Sequence, residues 1–205
     1  MSRILRVVLV TAVGVGVIGN GVASSRTKLV VEADDSQSRV QFVSDAPLEK
    51  ITGVGHALKG DIEFDPAAIA ATSGKVELEV ASIRTNIDLR DEHLRGPDWL
   101  DAKKFPTIKF EIKKVEGAAS LTPDTPVEVK VHGKLTMHGV TREETATATV
   151  RWVQSEGIRL QAQFKVNLTN YKVSVPALVR LKVSDEIALN VMLKIKPKTS
   201  TPPRG

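Results

Sequence analysis

Residues 85–112 read TNIDLRDEHLRGPDWLDAKKFPTIKFEI, and this stretch interrupts a chain that otherwise has a β-strand pattern. It predicts a short helix that is capped by Thr85 or Asn86 and ended by Gly96-Pro97. Residues 107–112 then alternate polar and apolar side chains, which is typical of a half-buried strand. Between helix and strand lie four large apolar side chains: Leu94, Trp99, Leu100 and Phe105. So much apolar area predicts that this connection folds back and fills an interior.

The rest of the chain predicts antiparallel β structure. Alternation marks seven further candidate strands, at residues 38–43, 51–64, 75–80, 127–137, 144–153, 158–168 and 187–195. Eight such strands joined mainly by short turns indicate an all-β barrel or a sandwich. An eight-stranded barrel is either packed solid or holds one small ligand. The inward faces are rich in small aliphatic residues, which favours a hollow barrel with an apolar guest; a sandwich with a filled core is the alternative.

The N-terminus predicts export. Arg3 and Arg6 precede an apolar run at residues 7–18, and small residues lead to Ala23, the order of a secretory signal peptide. The run is short for a membrane span. The chain has no Cys, so it has no disulfide, no thiol chemistry and no lipid-modified cysteine. We therefore expect a signal peptide at 1–23 that is cleaved after Ala23, and a periplasmic or secreted protein.

The remaining composition suits one domain. We expect a polar spacer at 24–36, a barrel domain at 37–196 and a disordered basic tail at 197–205. Loss of residues 1–23 would remove two arginines and lower the formal net charge from +5 to +3. Basic and acidic residues mostly interleave along the strands, which argues against nucleic-acid binding. This charge is compatible with weak contact with an anionic membrane surface.

Several separated motifs carry a family resemblance. They occur in one order between about Val40 and Ile195: Gly60-Asp61-Ile62, Phe64-Asp65-Pro66, Arg90–Arg95, Pro97–Asp101, Phe105–Ile108 with Phe110, Leu135–Thr141 and Val183–Ile187. Together they resemble the YceI family of lipocalin-like, polyisoprenoid-binding proteins. The resemblance implies an extended eight-stranded antiparallel barrel, with the short helix and aromatic-bearing connection near residues 86–105. It also implies a tunnel for an isoprenoid-tailed amphiphile, either a quinone or a polyprenyl compound.

Two segments differ from the form that many members of this family have. Residues 46–50 (APLEK) replace a His- and aromatic-containing segment, and residues 171–181 replace one often richer in aromatics. Pro176 indicates that the second segment is a loop or short helix. We expect both near the tunnel mouth, where they would alter recognition of the head group.

Apolar side chains are the candidate ligand contacts. Alternation places some of them inward, the central connection supplies others, and Tyr171 could offer its hydroxyl to a quinone oxygen. The ten candidates are Phe42, Ile83, Leu94, Trp99, Leu100, Phe105, Ile108, Phe110, Phe164 and Tyr171. The resemblance implies a binding protein that carries, stores or senses its ligand and has no covalent cofactor.

Titratable residues give weaker signals. Asp91, Glu92, His93 and Asp98 form the densest cluster, but no nucleophile elbow or phosphate loop accompanies them, so we interpret it as a charged turn. The four histidines lie on separate elements, and we expect neither catalysis nor a metal site. An enzyme that uses Asp91 and His93 is the less favoured alternative. The other alternative is a structural or partner-binding exported barrel with a filled core and no ligand, and a homodimer is a candidate assembly.

Overall fold

A computed structural model describes residues 27–31 and 37–197 of the chain. These residues form ten strands, one α-helix and four short 3-10 turns. The strands are β1 (Thr27–Val31), β2 (Arg39–Asp45), β3 (Lys50–Gly55), β4 (Leu58–Phe64), β5 (Ser73–Glu79), β6 (Thr107–Glu116), β7 (Val127–Met137), β8 (Val140–Val153), β9 (Gly157–Asn167) and β10 (Glu186–Pro197). The helix α1 is Asp88–Arg95, and the 3-10 turns are Ile69–Ala71, Val80–Ser82, Leu168–Tyr171 and Ala177–Val179. The predicted signal peptide and residues 198–205 of the predicted tail lie outside the described residues.

The ten strands form the predicted eight-stranded antiparallel barrel. Two of the eight barrel strands are interrupted once, and each of these two is therefore divided into two shorter strands. The first interrupted strand consists of β1 and β2, which both pair with β10. The second consists of β3 and β4: β4 pairs with β1, and β3 pairs with β2. From β4 the sheet continues in sequence order through β5, β6, β7, β8 and β9 to β10. The sheet therefore closes on itself, and the barrel fold is confirmed.

Local sequence explains the hairpin between β7 and β8. Along β7 the side chains of Val129, Val131 and Leu135 are buried and alternate with exposed lysines. The turn residues His138 and Gly139 both have positive φ, 50° and 74°. Two such residues give a turn whose twist matches that of the flanking strands, so β8 begins at once. This fixes the register between β7 and β8.

Two details differ from the sequence prediction. β1 lies inside residues 24–36, which the sequence analysis assigned to a polar spacer. The helix cap is also different: α1 has Ile87 at its N-cap, without a side-chain cap hydrogen bond, and Asn86 has φ 64°. Thr85 lies two residues before the N-cap, and its hydroxyl donates to Asp91 and accepts from Arg90 Nε instead of from a backbone amide of the helix. The predicted end of the helix at Gly96 is confirmed.

One end of the barrel is filled by side chains and covered by loops. Large aliphatic and aromatic residues from several strands are buried there: Leu29, Phe64, Val115, Val129, Ile158 and Ile195. Two loops close over them, held by hydrogen bonds from the Ile69 amide to Ala119 O (3.2 Å) and from the Leu121 amide to Pro66 O (2.8 Å). No helix within the described residues has the length and apolarity needed to span a bilayer.

Candidate functional site

The other half of the barrel encloses a cavity of about 610 Å³. Strands β2 to β10 all contribute to its wall, and nearly all of the lining side chains are aliphatic or aromatic. Small residues at inward positions, such as Ala146 and Ala162, leave this volume open where larger side chains would fill it. The hollow barrel that the sequence favoured is therefore present, in one half of the molecule.

Three phenylalanines shape the cavity. The rings of Phe110 and Phe164 lie 6.2 Å apart between centroids and are tilted by 49°. Phe42 lies over Gly53, and Phe110 lies over Gly133, so close that a Cβ at either glycine would fall within 2.5 Å of the ring. The two glycines thus provide the space in which these rings rest against the wall.

The cavity opens at the end of the barrel opposite the filled one. We call this opening the mouth; it is bounded by the turn at residues 46–49, by α1 with residues 85–87, and by the segment 172–185. The Leu48 amide donates a hydrogen bond to Leu181 O at 2.8 Å, and the Ser184 amide donates one to Ser44 Oγ at 2.9 Å. Residues 46–50 and 171–181 therefore meet at the mouth, where the sequence analysis expected them.

Polar lining groups are concentrated at the mouth. Asp91 Oδ1 accepts hydrogen bonds from the Thr85 amide (2.7 Å) and the Thr85 hydroxyl. Arg90 Nε donates to Thr85 Oγ1 at 2.9 Å, and its Nη1 pairs with Glu49 Oε1 at 3.0 Å. Burial of Asp91 opposes its ionisation, but the hydrogen bonds from Thr85 outweigh it and hold the pKa of the carboxyl below its ordinary value. This network joins α1 to the turn at 46–49.

Eight of the ten predicted contact residues line the cavity. They are Phe42, Ile83, Leu94, Trp99, Leu100, Ile108, Phe110 and Phe164. The connection after α1 does fold over the interior, as its apolar content predicted, and Leu100 is buried. Contact of these residues with a ligand stays a prediction.

Phe105 does not line the cavity, and the expectation that it does is corrected. Its ring packs edge-on against the His138 ring, with centroids 4.7 Å apart, and Lys104 Nζ lies 5.2 Å from the ring centroid. Gly139 also abuts the ring. Phe105 thus fixes the connection to the turn between β7 and β8.

Tyr171 is also placed away from the cavity. Its side chain is fully buried, and its hydroxyl donates a hydrogen bond to Glu144 Oε1 at 2.6 Å. Burial and this bond to a carboxylate raise the pKa of Tyr171 well above its ordinary value. Its carbonyl accepts a hydrogen bond from His138 Nδ1 at 3.1 Å. Because the hydroxyl is already paired inside the protein, it is not free to meet a quinone oxygen.

The histidines occupy separate places, as the sequence predicted. His93 lies at the mouth, while His132 bonds to Glu116 (3.0 Å) and Thr145 (2.9 Å) on the outer wall. Among the described residues, no three His, Asp or Glu side chains come together in a metal-binding arrangement. Asp91 is buried and bonded to Thr85, so its carboxylate has a structural partner.

Sequence reasoning missed the residues that form the mouth. Ile87, Leu89, Arg90, Val179, Lys182 and Val183 all contribute to the lining there. They lie on a helix start and a loop, where a period of two does not apply. The apolar and basic composition of residues 171–183 could have indicated Val179, Lys182 and Val183, but no such signal marks Ile87, Leu89 and Arg90.

Comparison with known sequences places the barrel in a family. A family model described as the YceI-like domain matches residues 32–195. A UPF0312 protein of Pseudomonas savastanoi pv. phaseolicola is 32% identical over 139 residues, which cover 67% of this chain and 69% of that protein. A UPF0312 protein of Pseudomonas putida is 37% identical over 99 residues, and this match spans about half of its length (48%).

Solved structures share the fold. BcnA of Burkholderia cenocepacia superimposes with a TM-score of 0.68 at 23% identity, over 80% of this chain and 98% of that one. A polyisoprenoid binding domain from Saccharophagus degradans, implicated in plant cell wall breakdown, superimposes with a TM-score of 0.64 at 15% identity, over 84% and 99%. Since the family match extends over almost the whole barrel, the chain belongs to the YceI-like family.

Proposed function

We propose that the protein binds the apolar tail of an isoprenoid amphiphile in the barrel cavity and shields it from water, as an exported carrier or store. One observation carries the proposal: the cavity wall is apolar, and its ionisable lining side chains, Glu49, Arg90, His93 and Lys182, are all at the mouth. Such a gradient suits a ligand with a long apolar tail and a polar head group. A quinone and a polyprenyl compound both have this form.

The energetics favour a tail of several units. Burial of one five-carbon isoprene unit contributes about 4 kcal/mol, at about 0.8 kcal/mol per carbon. Association costs about 4 to 15 kcal/mol in lost translational and rotational freedom of the ligand. One unit therefore roughly breaks even, and useful affinity requires more. The protein therefore discriminates between ligands mainly by the length of the apolar tail, and the mouth adds a smaller preference for the head group.

Two further observations support this function over the alternatives. The Saccharophagus degradans domain that shares the fold is named as polyisoprenoid binding. A filled barrel that serves only as a structural or partner-binding domain would not contain an apolar cavity of about 610 Å³. The carrier role outside the cytoplasm rests on the N-terminal signal pattern at residues 1–23.

The test begins with native mass spectrometry of the protein from its own host, followed by organic extraction. We expect a bound mass with an isoprenoid fragmentation series. A bare protein that also takes up neither quinones nor polyprenyl phosphates would contradict the proposal.

Two substitutions then locate the ligand. Phe110→Asp puts an unpaired carboxylate into the apolar wall and should abolish binding, whereas Lys109→Asp on the outer face of the same strand should not. Ala162→Phe fills the cavity without adding charge, so it should reduce binding of long-tailed ligands while the protein stays folded by circular dichroism. Normal ligand uptake by a folded Ala162→Phe protein would show that the tail lies elsewhere.

A further inference from the structure

The large hydrophobic side chains that are exposed in the described residues all lie around the mouth. They are Leu48, Ile87, Leu89, Leu178 and Leu181, with Leu178 98% exposed. Ile87 and Leu89 also line the cavity, and Leu48 lies in the turn that is hydrogen-bonded to Leu181. Single exposed leucines are common on protein surfaces, but a set confined to one end of a molecule marks an interaction site.

Basic residues accompany this apolar rim. Residues 172–184 include Lys172, Arg180 and Lys182 and contain no acidic residue. All three basic side chains are exposed, and among the described residues none forms an ion pair. Arg180 Nε bonds only to Val175 O, at 3.4 Å. The next residue, Asp185, accepts two hydrogen bonds from Thr169 and lines a small surface pocket together with Arg180, so the segment 172–185 carries three basic residues and one acidic residue beside the exposed leucines.

Acidic residues near the mouth are arranged differently. Glu49 is paired with Arg90, and Asp45 is paired with Lys50 at 3.4 Å. The exposed acids Asp88 and Glu92 lie on α1, in an element separate from the segment 172–184. The positive charge is thus concentrated on one side of the mouth.

We infer that the mouth docks on an anionic lipid bilayer, with Leu178 and Leu181 inserted among the lipids and Arg180 and Lys182 at the phosphate groups. Exposed apolar side chains flanked by lysine and arginine are the features that hold a protein segment in the bilayer interface. A protein partner would also cover leucines, but the unpaired basic side chains specify a negatively charged surface. The inference rests on the rim and extends the proposed function, since docking would open the cavity directly to the membrane.

The first test compares full-length variants in vesicle sedimentation. We expect the protein to bind vesicles that contain phosphatidylglycerol more tightly than neutral phosphatidylcholine vesicles, and less tightly as salt is raised. Arg180→Glu with Lys182→Glu should weaken binding to the anionic vesicles at least about 30-fold, since the loss of each basic group near the surface costs about fivefold and each new carboxylate is repelled by the lipid phosphates. The matched control is Lys130→Glu with Lys134→Glu, two exposed lysines on the outer wall of β7, which changes the net charge equally and should leave binding unchanged.

All of these proteins carry the same apolar run at residues 7–18, so its contribution to vesicle binding cancels in the comparison. Equal binding by the mouth double variant and the wall double variant would overturn the inference.

The second test asks which surface meets the lipid. The chain has no Cys, so Leu178→Cys and, on the outer wall of β8, Thr147→Cys can each be labelled uniquely with a polarity-sensitive fluorophore. We expect the emission at position 178 to shift to the blue on addition of anionic vesicles, and the emission at position 147 to stay as in water. The inference is overturned if the emission of the label at position 178 does not shift when anionic vesicles are added. A blue shift that depends on protein concentration without vesicles also overturns it, and identifies a second copy of the chain as the occupant.

Discussion

At the scale of single residues, Asp91 is the group that holds the mouth together. Its carboxylate is only 2% exposed and accepts both donors of Thr85. Asp91→Ala leaves the Thr85 amide and hydroxyl without a partner in a buried position. We expect a loss of about 1–3 kcal/mol in the free energy of unfolding at pH 7, measured by urea titration. Asp88→Ala, an exposed acid in the same helix, is the control and should cost less than about 1 kcal/mol.

The same residue gives a pH dependence. The pKa of Asp91 in the folded protein is below its unfolded value of about 3.9. The ionised carboxylate therefore adds stability above that value, and this contribution is lost as the pH falls through the folded pKa. We expect the difference between wild type and Asp91→Ala to be constant near neutral pH and to shrink below about pH 4. A difference that is equally large in strong acid would mean that ionisation of Asp91 is not involved.

Residue positions could be predicted where the chain alternates, but only in part where it does not: the apolar content of the central connection placed Leu94, Trp99 and Leu100 at the cavity. Phe42, Ile108, Phe110 and Phe164 lie on strands, and the period of two correctly placed them inward. Phe105 and Tyr171 lie on connections, where their direction depends on tertiary contacts with His138 and Glu144. These contacts join residues that are far apart in sequence, so local sequence patterns do not predict them.

At the scale of elements, the β2–β3 hairpin depends on the fit of one ring over one glycine. Phe42 and Gly53 are directly paired across the two strands. A Cβ at position 53 would lie 2.1 Å from Phe42 Cε1 and 3.0 Å from Arg84 O. Gly53→Ala should therefore push the ring from the wall into the cavity and cost about 1–3 kcal/mol of unfolding free energy.

A double-mutant cycle isolates this contact. The smaller side chain in Phe42→Leu makes room for the new methyl group, so the double variant should be more stable than the sum of the two single effects by about 0.5–3 kcal/mol. Strictly additive effects in urea unfolding would show that the backbone near Arg84, rather than the ring, resists the alanine.

The sequence predicted eight strands, and β1 was the element it missed. Residues 27–31 lie between a predicted signal peptide and a polar segment, and five residues are too few to show a clear period. What makes them a strand is the pair of exposed backbone edges on β4 and β10, which are distant in sequence. β3 and β4 are separated at His56 and Ala57, within residues 51–64 that the sequence analysis treated as one strand.

At the scale of the whole molecule, β1 closes the barrel at its filled end. It pairs with both β4 and β10, and Leu29 within it is only 2% exposed. A chain that starts at residue 37 loses this strand and exposes both edges, whereas a chain that starts at residue 27 keeps them covered. We expect the shorter chain to lose at least about 3 kcal/mol of unfolding free energy and to aggregate, judged by urea titration and light scattering. Equal stability of the two chains would show that closure by β1 is dispensable.

The filled end has a consequence for exchange of the proposed cargo. The cavity has a single opening because its base is blocked, so an incoming ligand cannot displace the bound ligand through the opposite end. If the protein carries this cargo between two compartments, each cycle must therefore pass through an empty protein that releases one molecule before it binds the next. Such a shuttle has no built-in direction: net flow stops when the chemical potential of the cargo is equal on both sides, and any one-way delivery must be driven by whatever consumes the cargo at its destination.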